Sequence, residues 1–214
     1  SSYMVLVSIT DGSGVTSAGY SGSFTGDGSS IFVWGAQFAE ATFETSYIPT
    51  SGATATRAVE AAKIPSSKFL YSDLKGSFLV EVQTNQLGSD DPFIYSFHDN
   101  TSSNRIFQRI ENTSTTRYVG VSGNTTRWNS ATGSVQTSSA FFKSATAYEA
   151  GNILVVTDGN NIDSPSNSVS PTGLLNLHIG SSRSNSTNRL NGHIKQIQYF
   201  ARRLDDATLI ALTQ

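Results

Sequence analysis

The 214-residue sequence contains no cysteine. This excludes a disulfide framework, a thiolate metal site and a cysteine nucleophile. Charged residues are scarce, at 14%, and the net charge is only −2. Long surface helices usually carry Lys and Glu, so this scarcity argues against them. So weak a charge also gives no field to hold nucleic acid or an acidic membrane. The 14 basic residues are scattered, and the one cluster, Arg202-Arg203, is followed at once by Asp205-Asp206. No apolar run approaches the roughly 18 residues of a spanning helix, so no membrane insertion is expected. No signal peptide is legible. The chain opens Ser-Ser with Met4 as its single methionine, which reads as a processed chain or a fragment.

What is plentiful is glycine, with 18 residues, and Ser, Thr and Asn throughout. That composition describes strands joined by polar turns. YMVLVSI (3–9) reads as a buried strand. A glycine-rich stretch follows, with a strand near Tyr20–Phe24, and then the strand IFVWGAQF (31–38), with Gly35 as a bulge or close approach. So few strands cannot complete a sandwich. Residues 1–48 therefore read as the C-terminal part of a jelly-roll domain or as a segment that packs in an assembly. From 49 to 62 the hydrophobic periodicity is lost, which marks a connector.

Beyond it the period is two. In SFLVEVQ, Phe78, Val80 and Val82 share one face; in FIYSFH, Phe93, Tyr95 and Phe97 do. Further strands are expected at Arg105–Ile110, Arg117–Val121, Ala140–Lys143, Asn152–Thr157, LLNLHIG and HIKQIQYF. In the last, Ile194 and Ile197 are three apart, so a bulge is needed to turn both inward. Asp158-Gly159 is a hairpin-type turn signal. Only the end reads as helical, with Asp205 and Asp206 suited to a helix N-terminus. The fold class is all-β: an antiparallel jelly-roll β-sandwich with a short C-terminal helical turn.

Two stretches resemble known families. WGAQFAEATFETSYIPTSGATATRAVE is similar to a segment of tailed-bacteriophage virion proteins. The matching residues are Trp34-Gly35-Ala36-Gln37, Thr45-Ser46-Tyr47-Ile48-Pro49-Thr50 and Thr56-Arg57, with the usual acidic residue displaced to Glu40. In those proteins the segment closes a carbohydrate-binding-module-like jelly roll and leads into another domain. LNLHIGSSRSNSTNRLNGHIKQIQYFARRLDDATLIALT resembles the end of concanavalin A-like, laminin-G and pentraxin-type sandwiches, through Ile179-Gly180, Gly192, Ile194, Ile197, Tyr199, Leu204, Leu209 and Leu212. This resemblance extends over 63–214. A fold does not grant a function.

Concanavalin A-like glucanases commonly carry paired acids as E-x-D-x-x-E on one strand. Here no Glu is followed by Asp two residues on, and Glu81 has Leu79 and Gln83 as face partners. The chain is therefore expected not to be an enzyme. His98, His178 and His193 lack metal-ligand spacing, and strand-surface or groove positions suit the first two. Calcium is the ion the resemblance implies. Asp158, Asn160 and Asp163 supply oxygens over a short loop, yet the run has no D-x-D-x-D-G pattern and a turn explains it without a metal. Trp34 belongs to the recurring motif and is expected in a core. Trp128, between Arg127 and Asn129, is the candidate sugar platform, with Tyr118 nearby in sequence; a half-buried strand tryptophan is the competing reading. The Asn-x-Ser/Thr sites at Asn100, Asn112, Asn124 and Asn185 would matter only in a eukaryotic secreted protein.

The expected protein is a structural component of a bacteriophage virion: a tail fibre, tail tip or capsid-surface fibre. It would display a lectin-like domain on the virion surface for attachment to a host glycan or for particle decoration. Its partners would be other virion proteins and further copies of itself, with trimers common among such fibres. A secreted cellular adhesin or lectin is the alternative, and a glycan-cleaving enzyme the third.

Overall fold

A computed structural model describes residues 28, 32, 34–37, 47–56, 62–84, 91–111, 115–134, 140–165, 169–183 and 188–214. The chain divides into two compact units, Ser1–Ala58 and Val59–Gln214.

In the first unit, the strands read at 3–9 and 20–24 lie outside the described residues. Phe32 and the run 34–37 carry no regular structure, unlike the strand expected there. Trp34 is 83% exposed, which corrects its assignment to a core. Its ring meets Tyr47 edge-on at 6.0 Å. Gly35 has φ of +74°, and Tyr47 lies 3.5 Å from where a side chain would begin. Ile48 N donates to Gln37 Oε1 at 2.7 Å. The motif is thus a local clasp between its two halves rather than a rung of a sheet.

The second unit is two antiparallel sheets and one short helix. The six-stranded sheet contains β1 (Ala62–Pro65), β3 (Phe93–His98), β4 (Arg105–Ile110), β5 (Thr115–Ser122), β6 (Thr125–Ser134) and β10 (Asn176–Ile179), in the order β1-β10-β3-β4-β5-β6. The five-stranded sheet contains β2 (Lys75–Thr84), β7 (Phe142–Glu149), β8 (Leu154–Thr157), β9 (Asn161–Asp163) and β11 (Gly192–Phe200), in the order β11-β2-β7-β8-β9. The helix α1 spans Asp206–Leu212, and the Asp205 carboxylate caps it by accepting from Thr208 N at 2.8 Å.

Alternation decides the core. Phe78, Val80 and Val82 point inward from β2 and meet Tyr95, Phe97, Ile106, Ile110 and Leu177 of the facing sheet. The opposite face of the five-stranded sheet is also covered: Leu79, Ala145, Ala147, Leu154 and Val156 pack with Leu204 and with Leu209 of α1. The bulge expected in β11 is present between Ile194 and Gln196, and it brings Ile194 opposite Val82 and Ile197 opposite Val80. A second irregularity falls between Phe93 and Tyr95. It was not expected. It puts Ile94 into the core with Tyr95 and Phe97, while Phe93 joins Phe107, Val119 and Val121 in a separate buried cluster.

Candidate functional site

The outer face of the six-stranded sheet is chemically unlike the rest of the unit. Register sets its content. One row across the strands reads Asn176, His98, Arg105, Val121. The next reads His178, Ser96, Phe107, Val119, Asn129. Beyond them, Arg109 lies opposite Arg117. In R-I-F-Q-R the two arginines and Phe107 share a face because strand side chains alternate. The guanidinium carbon of Arg105 sits 4.8 Å from the Phe107 ring centroid and that of Arg109 6.0 Å, so the aromatic forms an apolar floor under two cations.

These arginines are not equivalent. Arg109 contacts Glu111 Oε1 at 3.0 Å and Asp91 Oδ2 at 3.4 Å. Arg117 Nε lies 2.5 Å from Glu111 Oε1, and its Nη1 donates to Asn129 Oδ1 at 2.7 Å. Burial alone would raise the Glu111 carboxyl, but hydrogen bonds and charge from Arg117 and Arg109 hold it below its usual range. Among the described residues no carboxylate pairs with Arg105. Its Nε is buried without a hydrogen-bond partner. Burial, then the like charges of Arg183 and Arg109, press its pKa downward.

His98 is directly opposite Arg105 and only 1% exposed. Its Nδ1 accepts from Asn100 N at 3.0 Å, which places the ring hydrogen on Nε2. That Nε2 is buried and has no partner. The ring lies 4.7 Å from the His178 ring. Burial first, then the charges of His178 and Arg183, pull the His98 pKa down to about 4, so the ring is neutral at pH 7. The turn after it is fixed. Asp99 Oδ1 accepts from Thr101 N at 2.8 Å, Asp99 Oδ2 accepts from Asn104 Nδ2 at 2.9 Å, and Asn176 Nδ2 donates to Asn100 Oδ1 at 2.7 Å. The chain after β10 is tied to both ends of β3: Phe93 N donates to Asn188 O at 2.9 Å, and Arg183 Nη1 to Asn100 O at 3.4 Å.

The residues singled out from sequence are dispersed. Trp128 is 2% exposed on the inner face of β6, stacked with Tyr148 at 6.5 Å, and it fills the space left by Gly120 opposite it. Tyr118 is 1% exposed between the sheets, and burial raises its phenol well above the ordinary value. Neither ring can serve as a surface platform, because period two sends both inward. Of the four, Asn129 alone stands on the outer face next to Arg117. Arg127 falls at an irregularity of β6 and donates Nε to Ser122 O at 3.3 Å.

The three residues read as calcium donors also diverge. Asp158 Oδ1 accepts from Lys143 N at 3.0 Å, Asn160 Nδ2 donates to Asp158 O at 3.0 Å, and Asp163 Oδ2 accepts from Ser130 Oγ at 2.5 Å across to β6. They serve a turn and the joint between the sheets. They do not converge on a point, and no other group of acids or histidines placed to hold a metal occurs among the described residues.

A pocket of about 490 Å³ opens elsewhere, lined by Phe69, Leu70, Tyr199, Phe200, Ala201 and Arg202. Leu70 at its rim is 86% exposed. Among the described residues, the outer face of the six-stranded sheet carries the buried donors His98 Nε2 and Arg105 Nε without acceptors. The sequence reading missed its arginines as scattered. The alternation of Arg105, Phe107 and Arg109, with Arg117 in the next strand of a hairpin, was the available signal.

No family model and no curated protein matches the sequence. Solved structures do match. The CBM40 of the Ruminococcus gnavus IT-sialidase bound to α2,6 sialyllactose aligns with a TM-score of 0.59 and 15% identity, over 74% of this chain and 96% of that one. The leech intramolecular trans-sialidase complexed with 2,7-anhydro-Neu5Ac gives 0.59 and 13%, over 74% of this chain but 26% of the enzyme. Domains LG4-5 of the mouse laminin α1 chain give 0.52 and 14%, over 68% and 40%. At these identities the likeness is one of fold: the chain carries the lectin-like jelly roll found in carbohydrate-binding modules and laminin-G domains.

Proposed function

We propose that this chain is a non-enzymatic glycan-recognition component of a bacteriophage particle, and that it binds sugar on the outer face of the six-stranded sheet. The observation that carries the binding face is the pair of buried, unpartnered donors, His98 Nε2–H and Arg105 Nε–H, on strands that face each other. Buried polar groups are normally satisfied, and an orphan donor calls for an acceptor outside the chain, whether water, ion or ligand. Sugar hydroxyls and ring oxygens are such acceptors. Glu81 is paired to Lys195 at 2.7 Å, and Glu111 to two arginines, so these carboxylates are tied up as structural counter-ions rather than poised as acid and base.

The virion setting rests on the resemblance of WGAQF…TSYIPT…TR to phage virion segments. In this reading residues 63–214 are an autonomous lectin-like domain. Residues 1–48 belong to a preceding jelly roll or pack in an assembly, and residues 49–62 connect the two. The chain works on the particle surface as an oligomer, a trimer being the form common in such fibres, beside other virion proteins. Two experiments test this. Binding of the full chain to a panel of bacterial and host-type glycans should be specific and leave the sugar intact. The gene should lie within a block of tail or capsid genes. Release of shortened glycan, or a genomic position among secreted cellular proteins, contradicts the respective half.

A further inference from the structure

We propose that Arg105, His98 and Arg183 form a subsite for an acidic sugar, one bearing a carboxylate or a sulfate. This rests on the outer face being the glycan-binding face and adds the ligand's charge.

Arg109 and Arg117 are spoken for by Glu111 and Asp91. Arg105 has no acidic partner among the described residues and is crowded by Arg183 and Arg109. Two cations at one end of the face, Arg105 half-buried and Arg183 exposed, with no counter-ion among the described residues, favour an anion there. His98 contributes a neutral donor. Directly opposed strand residues have Cβ atoms about 5 Å apart, which sets the His98 ring beside the Arg105 side chain. Arg183 is exposed, and among the described residues a long bond to Asn100 O, 3.4 Å, holds it. It can leave that carbonyl for a ligand oxygen at little loss, since a neutral acceptor is exchanged for a charged one. Arg183 comes from a segment that no local motif links to the β3–β4 hairpin carrying the other two, which is why charge counting along the sequence gives no hint of the arrangement.

The test measures binding of the full chain to sialyllactose, an oligogalacturonate, a sulfated lactose and neutral lactose. Acidic sugars should bind about tenfold or more tightly than neutral lactose, the yield of one charge-assisted hydrogen bond over a neutral one. Carboxylates ranking above the sulfate, or the reverse, identifies the anion. Arg105→Gln should erase the preference for acid, bringing the acidic sugars to the affinity of lactose whatever the variant does to lactose itself. His98→Asn, which can keep an acceptor for Asn100 N but removes the Nε2 donor, should weaken acidic sugars more than lactose. Arg105→Lys should recover part of the preference, as a point charge without the fork. Lactose binding as tightly as the acids, or an acid preference that survives Arg105→Gln, overturns the subsite and leaves the glycan-binding face standing. Binding of none of the four overturns the subsite as well. The broader glycan panel then shows separately whether the binding face falls with it.

Discussion

Replacing Gly120 by alanine tests the placement of the second tryptophan, on which the two competing site readings part. The Cβ so created would lie 2.5 Å from Trp128 Cδ2 and closer still to Cε2 and Cζ2. Ordinary carbon contacts are about 3.5–4 Å, so the indole must retreat by roughly 1 Å. It has nowhere easy to go: the ring is 2% exposed and stacked with Tyr148 inside the main core. Overpacking of this kind costs about 1–3 kcal/mol. Loss of chain entropy in the unfolded state returns about 0.5–1 kcal/mol. A net loss of about 1–2 kcal/mol follows, which lowers the melting temperature by about 2–8 °C for a unit of this size. The assay is thermal and urea unfolding of the full chain by far-UV circular dichroism, in the wild-type and Trp128→Leu backgrounds. With the smaller side chain the added methyl should cost nothing or stabilise slightly, a coupling of about 1–3 kcal/mol. An equal cost in both backgrounds would refute the contact and return Trp128 to the surface.

Other outcomes follow from single contacts. His98 has a folded pKa of about 4, below the ordinary 6.5, with burial first and then His178, Arg183 and Lys63 depressing it and Asp99 opposing them. Its contribution is therefore complete above pH 6.5 and lost as the pH falls toward 4, to a total of roughly 2–4 kcal/mol; urea midpoints at pH 7 and 4.5 should differ less in His98→Asn than in the wild type. Asp158→Ala removes the acceptor for Lys143 N and should cost about 1 kcal/mol, while added calcium leaves the wild-type melting temperature unchanged. Leu209, 0% exposed under α1, should cost about 2–5 kcal/mol when cut to alanine. Residues 60–214 expressed alone should melt cooperatively, and a broad, non-cooperative transition would count against an autonomous sandwich.

Period-two alternation made the sandwich legible. Phe78, Val80 and Val82 face inward as the sequence implies, and the spacing of Ile194 and Ile197 announced a bulge that the register shows. The capped terminal helix was equally plain, since Asp205 accepts from Thr208 N. What misled was polarity taken from immediate neighbours. Trp128 sits between Arg127 and Asn129, but Arg127 falls at an irregularity and Asn129 projects to the other side of the strand, and the decisive residue, Gly120, lies on a different strand. Phe93 defeated the alternation because an irregularity before Tyr95 reverses its face. Strand β1 was not expected: it begins at Ala62, the last residue of the stretch taken as connector, and an edge strand with four exposed residues carries no burial pattern to detect. The site was hidden for a further reason. Arg105 and Arg183 interact only because β10 lies beside β3, a pairing that depends on sheet order and leaves no trace in local sequence.

The most direct measurement is a crystal structure of the full chain with the tightest-binding oligosaccharide of the panel. The account predicts the sugar on the outer face of the six-stranded sheet over β3 and β4, with an oxygen within hydrogen-bond distance of His98 Nε2 or the Arg105 guanidinium. A sugar seated instead in the Phe69–Tyr199 pocket, or on the five-stranded sheet, would contradict it.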